Sequence, residues 1–166
     1  MSATAAINAE LEQESATTRR VLERVPTDKL AWKPHDKSMS LGTLAMHIAA
    51  VPAFISGWAV PDEYVYAGGA SPEPTSTQEI LAAHDASVVD AKKNIASIGD
   101  ANLSRMWAFK TPDGKTMMSM PKSALLRSIA LNHLYHHRGQ LSVYLRLLNV
   151  PVPSIYGPSA DEAPAR

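Results

Sequence analysis

Apolar side chains recur along this chain mostly at the three- and four-residue spacing of helices, not in the alternation of strands. In the first such stretch, Ala3 to Val25, the positions Ile7, Leu11, Thr18, Val21, Leu22 and Val25 share a side, with Glu10, Glu12, Arg19 and Arg20 on the other. Pro26 ends it. The second stretch starts after Ser40, a residue suited to an N-cap, and runs to about Ala59. Pro52 lies inside it, where its ring is expected to clash with the carbonyl of Ile48 and kink the helix. The third opens with Ser76-Thr77-Gln78-Glu79, which fits a capping box, and continues through Ile80, Leu81, Val88 and Ile95 to Ile98 before Gly99. The fourth opens at Pro121 and ends near Val150, before Pro151.

The connections read differently. Lys29 to Ser38 is irregular, and Val60 to Thr75, with three prolines and two glycines, reads as a loop. Between Asp100 and Met120, a Pro-Asp-Gly turn joins two short semi-apolar runs and suggests a small hairpin. The Pro- and Ser-rich tail predicts disorder after about residue 158. Four helices of about 20 to 30 residues in one domain spanning residues 1–166 argue for an all-α fold, a four-helix bundle with a longer loop or small hairpin between helices 3 and 4.

Composition narrows the chemistry. Sixteen basic residues offset sixteen acidic ones, which argues against nucleic-acid binding, because neutralising phosphates takes surplus Lys and Arg. There is no cysteine, so disulfides, thiolate metal ligands and a cysteine nucleophile are excluded. The N-terminal residues lack the basic-then-apolar order of a secretory signal, and no apolar run is expected to approach the ~20 residues needed to span a bilayer. The expected location is the cytoplasm.

On a wheel of ~100° per residue, Leu126, Ile129, Ala130, Leu134, Leu141, Tyr144, Leu145, Leu147 and Leu148 of the fourth helix form a wide apolar arc. His133 and His137 fall near its middle, Gln140 beside them and His136 nearer the edge, while Arg138 and Arg146 fall on or near the opposite side. Burying unpaired polar groups costs roughly 1–3 kcal/mol each, so something must satisfy these imidazoles. Two core histidines bonded to other side chains would do so. A pair at i and i+4 can also converge on one metal ion, as in helical zinc motifs.

His47 sits on the margin of the buried face of the second helix, marked by Leu44, Ile48, Val51, Ile55 and Trp58. Three neutral imidazoles entering one bundle would form a site with open coordination positions, the arrangement of catalytic centres and not of closed structural ones. Imidazole suits zinc, nickel and iron. His84, centred on the apolar face of the third helix, is a fourth ligand, a second-sphere donor or a core histidine. His35 falls in a loop, and His136 is the alternative to His137. Lys122, Arg127, Arg138 and Arg146 read as a solvated face, with a subunit interface or an anionic-substrate clamp by Arg138 as the sharper alternatives.

Three stretches then point to a family. Trp32 to Ala49, WKPHDKSMSLGTLAMHIA, resembles the Trp-Arg/Lys-Pro segment and first metal histidine of the DinB-like (DinB/YfiT-like) superfamily. NHLYHHRGQL, Asn132 to Leu141, resembles its HxxxHRxQ motif, and PSIYGPSADE, Pro153 to Glu162, its C-terminal ending. Together they cover essentially the whole chain.

The resemblance implies an antiparallel four-helix bundle in which His47, His133 and His137 hold a divalent metal, zinc or nickel first and iron or manganese next, often in a homodimer. It implies a small-molecule substrate. Relatives include bacillithiol transferases and a mycothiol-dependent maleylpyruvate isomerase, and many members are described as metal-dependent hydrolases. A hydrolase or an S-transferase using a low-molecular-weight thiol is therefore expected, since a metal can activate water or an incoming thiol. A non-catalytic metal-binding stress-response module is the alternative.

Overall fold

The computed structural model describes residues 2–66, 68 and 73–162. Four helical segments form the bundle: α1 (Ala3–Leu22), α2 (Leu41–Ala59), α3 (Thr77–Ile98) and α4. The last is continuous but built in three stretches, an α-helical turn at Lys122–Ala124, a π-helical stretch at Leu125–Leu131 and a regular α-helix at Asn132–Leu147.

Helix starts follow local side-chain chemistry. Ser40 caps α2 by accepting from Thr43 N, and Ser76 caps α3 by accepting from Glu79 N. Gly99 ends α3 with φ 67°, a conformation that suits a residue without Cβ. The first residues of α1 dock on the end of α3, where Asp100 accepts from the backbone of Ala3 and Thr4 at 3.0 and 2.9 Å. α2 runs on through Pro52, and the vicinity of that proline is served by α3: Ser87 Oγ donates to Ala50 O at 3.3 Å and accepts from Ala53 N at 2.9 Å. The missing N–H of Pro52 frees the carbonyl of Ile48 in its own helix, and the Ser87 hydroxyl partners one carbonyl and one amide flanking the proline.

The all-α expectation is corrected. A three-stranded mixed sheet, ordered β1-β2-β3, lies at one end of the bundle: β1 (Glu63–Val65), β2 (Met106–Lys110) and β3 (Thr116–Pro121). The hairpin at Pro112-Asp113-Gly114 is present as β2 and β3, with Gly114 at φ 85° and a register shift between Phe109 and Lys110. The segment read as a loop supplies the extra strand, β1, which pairs parallel to β2 with Tyr64 opposite Phe109. Trp107, buried in β2, donates its indole N–H to Trp58 O at 2.7 Å and so fixes the sheet to the last turn of α2. Pro121 ends β3 and does not open the helix.

The core runs the length of the bundle through Leu22, Leu44, Ile48, Ile80, Leu126 and Leu141. The expectation that no apolar run approaches a membrane span is corrected: α2 is long and apolar enough to cross a bilayer by length and composition, yet it is the central core helix here, most of its residues covered by the rest of the chain. The segment after α4 folds back across the bundle. Asp161 pairs with Arg146, Glu162 with Arg20, and both carboxylates accept backbone N–H groups at Val152 and Ser154. The disorder expected after about residue 158 therefore does not describe residues 159–162, and the rest of that expectation, residues 163–166, lies outside the described residues.

Candidate metal centre

His47 on α2 and His133 and His137 on α4 come together as a half-buried trio whose ligating nitrogens all lie within 4.8 Å of one another. The Nε2 atoms of His47 and His133 are 2.8 Å apart. Ring centroids stand 5.1 Å apart for His47 and His133, 4.7 Å for His47 and His137, and 4.4 Å for His133 and His137. The α4 pair converges because residues four apart on a helix stack on one face.

Electrostatics favour neutral rings. Desolvation and the neighbouring imidazoles push His133 down to about 4, with His137 the strongest neighbour. Desolvation likewise lowers His47, reinforced by His137. It also lowers His137, against the opposing hydrogen bond to Gln140. Neutral imidazole is the form that ligates a metal, so at neutral pH protons do not compete for this cluster.

His137 Nδ1 and Gln140 Oε1 lie 2.7 Å apart. An amide oxygen only accepts, so the proton resides on Nδ1 and the Nε2 lone pair of His137 is free. Nitrogens sharing a tetrahedral zinc stand about 3.4 Å apart, given Zn–N distances of about 2.1 Å. The close His47–His133 pair thus needs only a small parting to share an ion. Three neutral, convergent nitrogens with one ring already oriented fit a divalent metal of the zinc, nickel or iron kind.

The other candidates fall outside the trio. His136 is exposed, its ring 4.8 Å from that of His137. His35 is exposed and accepts from Lys37 N at 3.1 Å. His84 is 2% exposed and takes the place of a core residue of α3: its Nδ1 is 3.5 Å from Asp85, its Nε2 has no partner, and desolvation lowers its pKa.

Two readings from the helical wheel are corrected. The buried stripe of α4 is Leu134, Arg138, Leu141 and Leu145, and the histidines lie on its half-buried flank facing α2. Tyr144, Leu147 and Leu148, which the fold leaves half-buried or exposed, had drawn the apparent centre of the arc toward the histidines, whereas ~100° per residue within the regular stretch sets Arg138 beside Leu134 and Leu145. Arg138 is 1% exposed and spends its guanidinium on Glu14, Thr18 and Tyr156, so it is neither solvated nor an anionic-substrate clamp. Lys122 is also buried and donates to Val60 O at 2.7 Å. Arg127 and Arg146 do lie at the surface.

Sequence reading missed Glu14 and, beyond including Tyr156 within PSIYGPSADE, assigned that tyrosine no role. Only the acidic residue recurring within the apolar spacing of α1, four before Thr18 and three after Leu11, signals that Glu14 points inward.

The chain is similar to known proteins over most of its length. The profile of the DinB family matches residues 1–165. The uncharacterized protein YrdA of Bacillus subtilis (strain 168) is 28% identical over 160 residues, covering 91% of this chain and 86% of that protein. A solved DinB-like protein from Bacillus cereus ATCC 10987 superposes with a TM-score of 0.70 at 26% identity, over 90% of this chain and 95% of that one. The DinB-like protein YjoA from Bacillus subtilis shares the fold, with a TM-score of 0.68 at 18% identity, over 92% of this chain and 99% of that one.

Proposed function

The chain belongs to the DinB family, and from that premise we propose that it is a metal-dependent enzyme acting on a small molecule, either a hydrolase or an S-transferase that takes its thiol from a low-molecular-weight cosubstrate. The observation that carries the reading is the convergence of three neutral imidazoles, His47, His133 and His137, with no fourth protein ligand beside them among the described residues. A set of three leaves coordination positions open to water or substrate, which is the pattern of catalytic sites. A bound divalent ion supplies Lewis-acid chemistry there, lowering the pKa of water or a thiol near neutral pH.

The chain's own residues set the conditions for that chemistry. Gln140 holds the Nδ1 proton of His137 and keeps its Nε2 lone pair aimed inward. Burial by α2 and α4 keeps all three rings neutral. The chain contains no cysteine, so a thiol nucleophile has to arrive with the cosubstrate. Zinc or nickel is the proposed metal, with iron or manganese next. A homodimer, a cytoplasmic location and the absence of nucleic-acid partners complete the proposal.

The test is metal analysis of protein purified without added metal, followed by turnover assays. Electrophilic substrates would be offered with several low-molecular-weight thiols, and esters and amides without thiol. Activity that requires both metal and His137 supports the enzyme. Stoichiometric metal with a cobalt spectrum indifferent to added thiol, imidazole or carboxylate would favour the non-catalytic module.

A further inference from the structure

Arg138 follows His137 directly, and every one of its hydrogen bonds leads away from the histidines toward α1 and the C-terminal segment. Its Nη1 donates to Glu14 O and to Thr18 Oγ1, each at 3.1 Å. Its Nη2 donates to Glu14 Oε2 and to Tyr156 Oη, each at 2.7 Å. The Tyr156 hydroxyl in turn donates to the same Glu14 oxygen at 2.8 Å. The guanidinium carbon lies 5.3 Å from the ring centre of Tyr135 and 5.1 Å from that of Tyr156. Glu14 is buried with Arg138, whereas Tyr156 lies on the surface with its hydroxyl turned in.

Two facts make this more than an internal ion pair. The histidines and Arg138 share one regular helical stretch, so any rotation of that stretch about its axis moves all three together. Immediately before it, α4 is π-helical over Leu125–Leu131. Wider π-helical turns are a departure from the α-helical hydrogen-bond register and cluster at functional sites. A helix that enters through such a stretch does not inherit its rotational setting from the preceding α-helical turn. The setting has to come from contacts made beyond the π-helical residues, and the fixed fork of a guanidinium held at four points on α1 and Tyr156 supplies one.

We propose that Arg138 is a positioning residue for the histidine cluster: gripped by Glu14, Thr18 and Tyr156, it fixes the rotation of α4 beyond the π-helical stretch and so aims His133 and His137 at His47. The same contacts tie the C-terminal segment to the site, because Tyr156 shares both charged partners. The functional meaning of this arrangement rests on the metal reading of the three histidines.

The test separates positioning from stability. Removing one member of a buried ion pair leaves the other charge unpaired, whereas replacing both with apolar residues is often neutral for stability. The double variant Glu14→Leu/Arg138→Met and the milder Tyr156→Phe would be compared with the unaltered chain, all metal-free, by thermal unfolding and by the ring 15N resonances of the histidines. Zinc affinity would be measured by competition with a chelator.

The expected result is folded double-variant protein in which the His133 and His137 resonances move while that of His84 stays, and zinc affinity falls about tenfold. Tyr156→Phe should show the same changes at smaller amplitude, and it decides the matter if the double variant does not fold. Folded variants with unmoved His133 and His137 resonances and zinc affinity within twofold of the unaltered chain would overturn the proposal. An unaltered chain that binds no zinc or other divalent metal would instead overturn the metal reading, and the ring resonances would still decide whether Arg138 sets the histidines.

Discussion

His47 and His133, on different helices and 86 positions apart in the chain, bring their Nε2 atoms to 2.8 Å. Two neutral imidazoles at that distance share one proton between two lone pairs, and His137 adds a third nitrogen to the same small volume. Such a cluster is best satisfied by a cation that accepts all three nitrogens at once. His137→Ala should therefore abolish most divalent-metal binding, and His35→Ala should leave it intact. Elemental analysis of the two purified proteins checks this, and full occupancy in His137→Ala would refute the ligand set.

Metal affinity should hold from pH 8 down past the ordinary histidine value of about 6.5, then fall. Burial lowers His47 and His137 and takes His133 down to about 4, so protons begin to compete only at lower pH than for free histidine. Competition titrations at several pH values between 4 and 8 measure it. Affinity already lost by pH 6.5 would mean that the rings are not desolvated as described.

Gln140→Ala should weaken zinc binding by roughly ten- to a hundredfold, the usual effect of removing a partner that orients a ligand. The cause is the lost acceptor for His137 Nδ1, which frees the ring to rotate and to take the other tautomer. Gln140→Glu keeps an acceptor and should retain most of the affinity. Equal binding by all three proteins would remove Gln140 from the site.

His84 should make the protein acid-sensitive. Its pKa is lowered in the folded state, so its contribution is present above the unfolded value of about 6.5 and is lost as pH falls toward the lower folded value. In that window one extra proton on the unfolded chain costs up to about 1.4 kcal/mol of stability per pH unit. His84→Leu should therefore gain stability relative to the unaltered chain at pH 5 and not at pH 8. Denaturant unfolding at the two pH values decides it.

Trp107→Ala should destabilise by about 3–5 kcal/mol, as expected for emptying a buried aromatic site. Trp107→Phe keeps most of the volume but leaves Trp58 O without its indole donor, and should cost about 1–3 kcal/mol. Thermal unfolding of both variants measures the difference.

What the sequence made legible was chemistry that acts within a few residues. Ser40, Ser76, Gly99 and Gly114 mark their boundaries because a cap or a tight turn is decided locally. The three histidines were visible for a similar reason: spacing of four on one helix and a face position on another. β1 was not visible, since Glu63–Val65 is too short to show alternation and its partner strand lies beyond α3. Nothing in LLRSIAL announces a change of hydrogen-bond register, so the π-helical stretch reads as ordinary α-helix. Arg138 and Glu14 each argue for solvent when read alone. Only their pairing makes burial tolerable, and a pairing across 124 positions is a tertiary fact.

The parallel pairing of β1 with β2 bears on the order in which the chain assembles. Lys110 meets Thr116 across a single turn, whereas Tyr64 meets Phe109 only after the whole of α3 has been laid down between them. Local pairs form early, while distant ones wait for the entropy of closing the intervening chain to be offset by packing. The hairpin should therefore pair before β1 does, with β1 joining once α3 has docked on α2. β1 records that docking, and its amide protons should be the first in the sheet to exchange with solvent and the last to become protected during refolding.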